Sequence, residues 1–478
     1  MPATPPPSAP PSPGLLIAVT GGPGSSKTRL LAELAAGRLA RGQRVEGVLA
    51  IAGRRRAPDV GADEYWLRIL GTEQELSWAV RDENYIPPYY FEPETEMKLR
   101  VWAGRLASEP PTPVLVLDEF SKFEIEGKGL MPLWPVLAAA APEIVVVAVR
   151  DGLVGRIEAV IGRRFDLCVA SSAPDALEQL QRACEDFGEW TRLGLFGGAA
   201  GGLELTLGSV LHAARFPLGG LAMSSLQSGM MVFAGSGLSR PGRVVWVPFI
   251  SGGLKALAPA GNRLRPMLAI VMQGLLFGAS VQALGWNVFA LGLAGATVGA
   301  WAALQGFLLQ YLLLGGGLVR AYDTVVLWLA DRWHIAAPGL PWLVGAWIAL
   351  HAVAAAGVTL AAWRLKQPPP ALQRIIDREK PGATVPAAPP ARAGWRRLRE
   401  FAHWQFWLPL LVVATILLLG GGSWETVAWL VLRFVAVGCV LLALLSLLRP
   451  ARWAEQLRRR GWWGPAVAFS GALRRSGR

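Results

Sequence analysis

The chain has 478 residues, enough for two or three domains. With 53% hydrophobic residues and a mean hydropathy of +0.37, its composition excludes an ordinary soluble protein. The net charge of +13 conceals a division: 20 Lys+Arg stand against 26 Asp+Glu as far as Trp190, and 27 against 8 beyond it. The basic residues of the second part lie mainly between and after apolar runs. That is the pattern of cytoplasmic membrane loops and not of a nucleic-acid surface, so no nucleic-acid partner is expected. Three widely separated cysteines and four scattered histidines exclude a disulfide framework and a zinc site.

Residues 1–13, "MPATPPPSAPPSP", have no basic residue and no apolar core, so they read as a disordered proline-rich tail and not as a signal peptide. "GLLIAV" then reads as a short buried strand, and 27–41 as a helix that stops at Gly42. "RVEGVLAIAG" is a second strand, and "EYWLRIL" with "LSWAVRD" a half-alternating hairpin. "PVLVLDEF" and "EIVVVAVR" are fully buried strands, "FDLCVAS" a last one, and 174–187 a closing helix. Strands alternating with helices predict an α/β domain over 14–190, built around a mostly parallel sheet.

Between the first strand and the first helix stands "VTGGPGSSKT". A phosphate-binding loop needs small residues that let backbone N–H groups converge on phosphate oxygens, a lysine for charge, and a hydroxyl for Mg²⁺. Gly21, Gly22, Pro23, Gly24, Ser25, Ser26, Lys27 and Thr28 supply these parts, with Lys27 directed at the β- and γ-phosphates and Thr28 at the metal. Ser26 occupies the place of the pattern's last glycine, so weaker or altered nucleotide binding is expected, not its loss. Asp118 and Glu119 end a hydrophobic strand, where the first carboxylate serves Mg²⁺ and the second polarises an attacking water. Arg150, after the "VVVAV" strand, is either a cation near the γ-phosphate or a surface residue. The Arg54–Arg56 run reads as a solvated loop.

"GGPGSSKTRLL", "GVLAIAGRRR", "LDEFSKFEIEGKGLMPLW" and "EIVVVAVRDG" together resemble the small nucleoside-triphosphatase family first known from thermophiles. Gly21, Pro23, Gly24, Lys27 and Thr28 match that family's loop, and Asp118, Glu119, Lys122 and Glu124 match its second segment. Ser26 and Ser121 stand where the family has glycines. The resemblance covers residues 15–190. It implies a RecA-like fold and hydrolysis of ATP, GTP or related nucleotides with Mg²⁺. No "LSGGQ"-like segment occurs, so an ABC-transporter ATPase is not expected.

Residues 191–366 read as a six-span membrane domain, with spans near 193–211, 216–237, 244–257, 266–284, 288–314 and 341–365. "GGLVRAYDTVVLWLADRW" is an interfacial helix or a further span. Small residues four apart in "GLFGGAAGG" suit close helix packing. A linker (367–400), a two-span hairpin (401–449) and a basic tail (450–478) follow. Linker and tail are basic and therefore cytoplasmic, which gives a multi-pass protein of the cell (inner) membrane with its N-terminal domain on the same side. Gln227, Gln273, Gln282, Asn287, Gln305 and Gln310 within the spans suit a small polar organic solute better than a proton relay, with ordinary helix–helix hydrogen bonding as the alternative. His351 reads as a packing residue.

The glycine-rich middle is similar to the substrate-binding components of energy-coupling-factor vitamin importers, without a diagnostic motif. The ending "GALRRSGR" is similar to the coupling segments of their transmembrane scaffold, which implies transporter subunits as partners. Two functions follow as expectations: a transport-associated NTPase handling a vitamin or cofactor precursor, or a membrane-anchored regulatory or sensor NTPase. The basic tail is expected either on the acidic nucleotide domain or on anionic lipid.

Overall fold

A computed structural model describes residues 14–55, 62–72, 74–82, 89–213, 218–255, 264–334, 339–377, 404–421, 423–446 and 453–476. The expected proline-rich tail and most of the expected linker lie outside the described residues. Two compact units are present. The first runs to Trp190 and takes in Gln456–Val467; the second holds the helices between and the remainder of the C-terminal segment.

The first unit is a mixed α/β domain around an eight-stranded sheet. Its strands are β1 (Leu15–Gly21), β2 (Val45–Arg55), β3 (Ala62–Ile69), β4 (Gln74–Asp82), β5 (Tyr89–Phe91), β6 (Val114–Phe120), β7 (Ile144–Arg150) and β8 (Leu167–Ala170). Their order is β5-β4-β3-β2-β6-β7-β1-β8. From β2 to β8 neighbours are parallel. The hairpin β3–β4 and the short β5 extend the sheet antiparallel from β2.

Period-two alternation along β1 divides the core. Leu15, Ile17 and Val19 face helices α1 (Lys27–Leu39) and α6 (Ala176–Leu205), with Leu30, Leu31 and Leu34 of α1 against them. Leu16 and Ala18 face the opposite layer, which includes α2 (Pro93–Ser108), the one-turn α3 (Lys122–Ile125), α4 (Trp134–Ala139) and α5 (Val154–Ile161). A strand buried on both faces must be apolar throughout, as "LLIAV" is. The closing helix does not stop at 187: α6 continues to Leu205, since no proline follows Phe187 within it.

Part of the C-terminal segment belongs to this first unit. Trp463 and Val467 pack into the α1/α6 layer, and Gly464 lies against the indole of Trp190. The Arg458 guanidinium is 2.8 Å from Oδ1 of Asp166, whose side chain is fully buried. Oδ2 of the same carboxylate accepts from the Leu16 amide at 3.0 Å and from Arg163 at 2.5 Å.

The second unit is helical. It contains α7 (Leu207–Ala213), α8 (Gly219–Gly235), α9 (Trp246–Lys255), α10 (Leu264–Leu284), α11 (Val288–Leu314), α12 (Gly316–Trp333), α13 (Leu340–Leu365), α14 (Pro370–Asp377), α15 (Trp404–Leu419) and α16 (Trp424–Ser446). The C-terminal helices α17 (Trp453–Arg459) and α18 (Trp463–Ser476) close the described chain. Among the described residues three helical stretches are long and apolar enough to cross a membrane: Pro266–Leu284, Val288–Leu314 and Pro341–Leu365. The expected span at 216–237 is the 17-residue α8, and that at 244–257 is a 3-10 turn followed by the 10-residue α9. The 17 residues of α8 stand at the short end of what crosses a hydrocarbon core, and the described part of α9 is shorter than that. The stretch 193–211 is divided between the end of α6 and α7.

Glycines let the apolar helices approach one another. A Cβ at Gly299 of α11 would stand 2.1 Å from the His351 carbonyl oxygen of α13, and one at Gly295 would stand 2.8 Å from the Ala356 Cα. The two positions, four apart, form a small-residue face along which backbone meets backbone.

Candidate functional site

The site forms at the C-terminal ends of the parallel strands, where open α/β sheets bind their ligands. β1 ends at Gly21, and the chain turns through 22–26 into α1. The turn needs left-handed backbone twice: Gly24 has φ +73° and Ser26 φ +63°. Glycine adopts that region freely, whereas serine does so at a cost of about 1–2 kcal/mol. Gly21 is required for another reason. A Cβ there would meet Ser25 Oγ at 2.1 Å and Ser171 Oγ at 2.3 Å. Ser171, in the loop after β8, donates to Ser25 at 3.0 Å and braces the turn.

Lys27 folds back over this loop. Its ammonium donates to the carbonyl oxygens of Gly21 (2.8 Å) and Gly22 (2.7 Å) and to Ser25 Oγ (3.3 Å). Its charge is thus held over the turn, at the start of α1, where the helix dipole also favours an anion. The next residue, Thr28, sets its hydroxyl beside Asp118, where it offsets part of the burial that raises that carboxyl. Asp118 is buried, and its Oδ2 also accepts from the Ala50 amide at 3.2 Å. β7 stands between β6 and β1, so Asp118 and the loop after β1 lie at one sheet edge with a single strand between them.

Glu119 owes its orientation to a bulge. β6 and β7 pair Leu117 with Val147 and Phe120 with Val149, so one extra residue is accommodated on β6. Glu119 has φ +69°, strained for a residue with a side chain. The bulge turns its side chain outward while Asp118 and Phe120 remain buried. Loss of solvation, then the Asp118 and Glu124 carboxylates, push the Glu119 carboxyl up to about 7, against the opposing charge of Lys27. Burial likewise raises Asp118, and the Thr28 hydroxyl and backbone amides offset part of that.

Glu124 ties down the loop after β6. Its Oε2 accepts from the Ser121 amide at 2.7 Å, closing a capping box, and its Oε1 accepts from the Leu130 amide at 3.1 Å. Gly129 is needed beneath it, since a Cβ there would lie 2.0 Å from Oε1. Lys122 is exposed. Arg150 ends β7 in register with Gly21, at the same rim, and is exposed. The side chains of Arg54–Arg56 lie outside the described residues.

The structure therefore brings together Gly21–Thr28, Asp118, Glu119 and Arg150. It adds features that the sequence reading did not include: the Ser171 brace, and a cavity of about 110 Å³ beside Glu119 walled by aromatic residues. Among the described residues, no group of three or more His, Cys, Asp or Glu is arranged to hold a metal ion by itself. The donor pair Thr28–Asp118 is of the hard-oxygen type that suits Mg²⁺, an ion that keeps waters and takes the rest of its shell from phosphates.

In the second unit the amide residues separate. Gln227 and Gln273 are buried, and Gln227 Nε2 has no hydrogen-bond partner. Gln282 is exposed, and Gln305 and Gln310 are half-buried. Asn287 caps α11: its Oδ1 accepts from the Ala290 amide at 2.9 Å and its amide donates to the Leu284 carbonyl at 2.6 Å. His351 is buried, with Nδ1 2.9 Å from the Trp347 carbonyl oxygen. In comparisons with known proteins the chain matches no family model, no curated protein and no solved structure.

Proposed function

We propose that the first unit is a RecA-like P-loop nucleoside triphosphatase that binds and hydrolyses ATP or GTP. The observation that carries this reading is the loop after β1 closed under the Lys27 ammonium, with the buried strand-end carboxylate of Asp118 beside it at the same sheet edge. Mg²⁺ would be held by Thr28 and Asp118 and would supply neutralising charge to the phosphates. The loop amides and Lys27 bind and orient the triphosphate. Glu119, adjacent and with its carboxyl raised to about 7, accepts a proton from the attacking water. Arg150 adds positive charge at the rim.

We read the second unit as a multi-pass domain of the cell (inner) membrane, with the NTPase unit, linker and tail cytoplasmic. Its buried amides Gln227 and Gln273 favour a small organic solute, such as a vitamin or cofactor precursor, handled with other transporter subunits. The test is turnover by the full chain in nanodiscs. Lys27→Ala is expected to lose nucleotide binding. Glu119→Gln is expected to retain binding and lose hydrolysis by 100-fold or more, about the contribution of a positioned base. Equal turnover in the wild type and both variants would sink the assignment.

A further inference from the structure

Ser25 and Ser171 stand 146 residues apart in sequence, and one hydrogen bond joins their side chains. Ser171 is held by the sheet: its neighbour Ala170 pairs with Thr20, and the Ser171 amide donates to the Thr20 carbonyl at 2.7 Å. Ser25 stands between two left-handed residues, Gly24 and Ser26. Both hydroxyls lie over Gly21, in the space that its missing side chain leaves. A serine hydroxyl has one proton to give and two lone pairs to fill. At Ser25 the Lys27 ammonium donates to the oxygen at 3.3 Å, and the Ser171 hydroxyl donates to it at 3.0 Å. Both acceptor positions are then taken. The Ser25 proton is left to donate, and it has no acceptor among the described residues. Two incoming donors polarise the Ser25 O–H and make it a better donor to an anion. A brace that served the turn alone would need no particular polarity. Here the polarity keeps the Ser25 proton for a ligand.

We propose that the Ser25 hydroxyl donates to a phosphate oxygen of the bound nucleoside triphosphate, and that Ser171 is the positioning residue that keeps it in that role. This rests on the NTPase reading. The ammonium of Lys27 and the Ser25 hydroxyl are 3.3 Å apart, so one oxygen at the β/γ end of the triphosphate accepts from both. A hydrogen bond to a charged oxygen is roughly twice as strong as one between neutral groups, so Ser25 adds to affinity what the loop amides alone do not. Ser171 touches no nucleotide and acts only through Ser25. The loop after β8 thereby takes part in phosphate binding, although its "SSAPD" has no phosphate-binding pattern. Without the Ser171 hydroxyl, the Ser25 O–H is free to rotate away, and part of its contribution goes with it.

The experiment is calorimetric titration of the full chain in neutral-lipid nanodiscs, with Mg²⁺ and a non-hydrolysable imido analogue of ATP, alongside thermal unfolding of each variant. Ser25→Ala is expected to weaken binding about tenfold or more, the loss of a bond to a charged group. Ser171→Ala is expected to weaken it roughly three- to tenfold. The double variant is expected to bind no more weakly than Ser25→Ala alone, because Ser171 acts through Ser25. Ser171→Thr, which keeps the donor, is expected to restore affinity. Ser25→Gly and Ser171→Gly repeat the test if an alanine variant does not fold. Unchanged affinity in Ser25→Ala, losses in the two single variants that multiply, or a Ser171→Ala effect confined to melting temperature overturns the proposal and leaves the NTPase reading standing. Absence of binding by the wild type, or equal binding by Lys27→Ala, overturns both.

Discussion

Ser26 and Glu119 both hold positive φ without being glycine, and both sit in the candidate site at the strand ends. Strain of this kind persists only where the surroundings impose it. Ser26→Gly should therefore raise stability by about 1 kcal/mol, read as a higher melting temperature, and should raise nucleotide affinity or turnover as well. A loss of both would make Ser26 a functional adaptation. At Glu119 the sign follows from its carboxyl being raised to about 7. The folded protein holds that proton more tightly than the unfolded chain, so stability contributed at low pH is lost as pH rises from about 4.5 towards 7. Glu119→Gln should flatten that slope in denaturant titrations across this range. Hydrolysis by the wild type should instead rise with pH through an inflection near 7, because the ionised carboxylate is the base.

At the scale of elements, legibility depended on how local the signal was. The glycine and Lys-Thr spacing of the phosphate loop is contiguous, and β1, β6, β7 and the β3–β4 hairpin follow from apolar runs and alternation in single stretches of sequence. Helix α2 carries a usable signal, Pro93 in its first turn with Glu94 and Glu96 beside it, that periodicity alone does not bring out. The bulge at Glu119 has no residue signature, since nothing in "LDEF" specifies a left-handed glutamate. The aromatic lining of the cavity beside Glu119 is assembled from β4, β5 and the segment after β6, which lie apart in sequence. Hydropathy located the apolar stretches but not where helices break, as the division of 193–211 between α6 and α7 shows. The α11–α13 pair gives the element-scale prediction. Gly299→Ala places a methyl group against the His351 carbonyl and should cost about 1–3 kcal/mol, measured by thermal unfolding in detergent. Gly292→Ala, where the nearest atoms lie 3.9 Å away, should be tolerated.

At the scale of the whole chain, residues far apart in sequence complete one unit. Arg458→Ala should lower the stability of the first unit by about 1–3 kcal/mol, less than a fully orphaned buried charge costs, because Arg163 still pairs with Asp166. Differential hydrogen exchange at Leu16 and its β1 neighbours would read the loss, and unchanged protection would reduce the contact to a passive one. Deleting 450–478 should produce a larger loss, since Trp463 and Val467 leave the α1/α6 layer as well. The same contact has a consequence in time. At about 5–20 residues per second, the ribosome needs roughly 13–53 s to pass from Trp190 to Gln456. Throughout that interval the nascent first unit lacks its last piece, while the apolar helices of the second unit are being made. Maturation of the first unit is thereby deferred until the second has been translated, and a ribosome that stalls midway releases a first unit still short of its final stability.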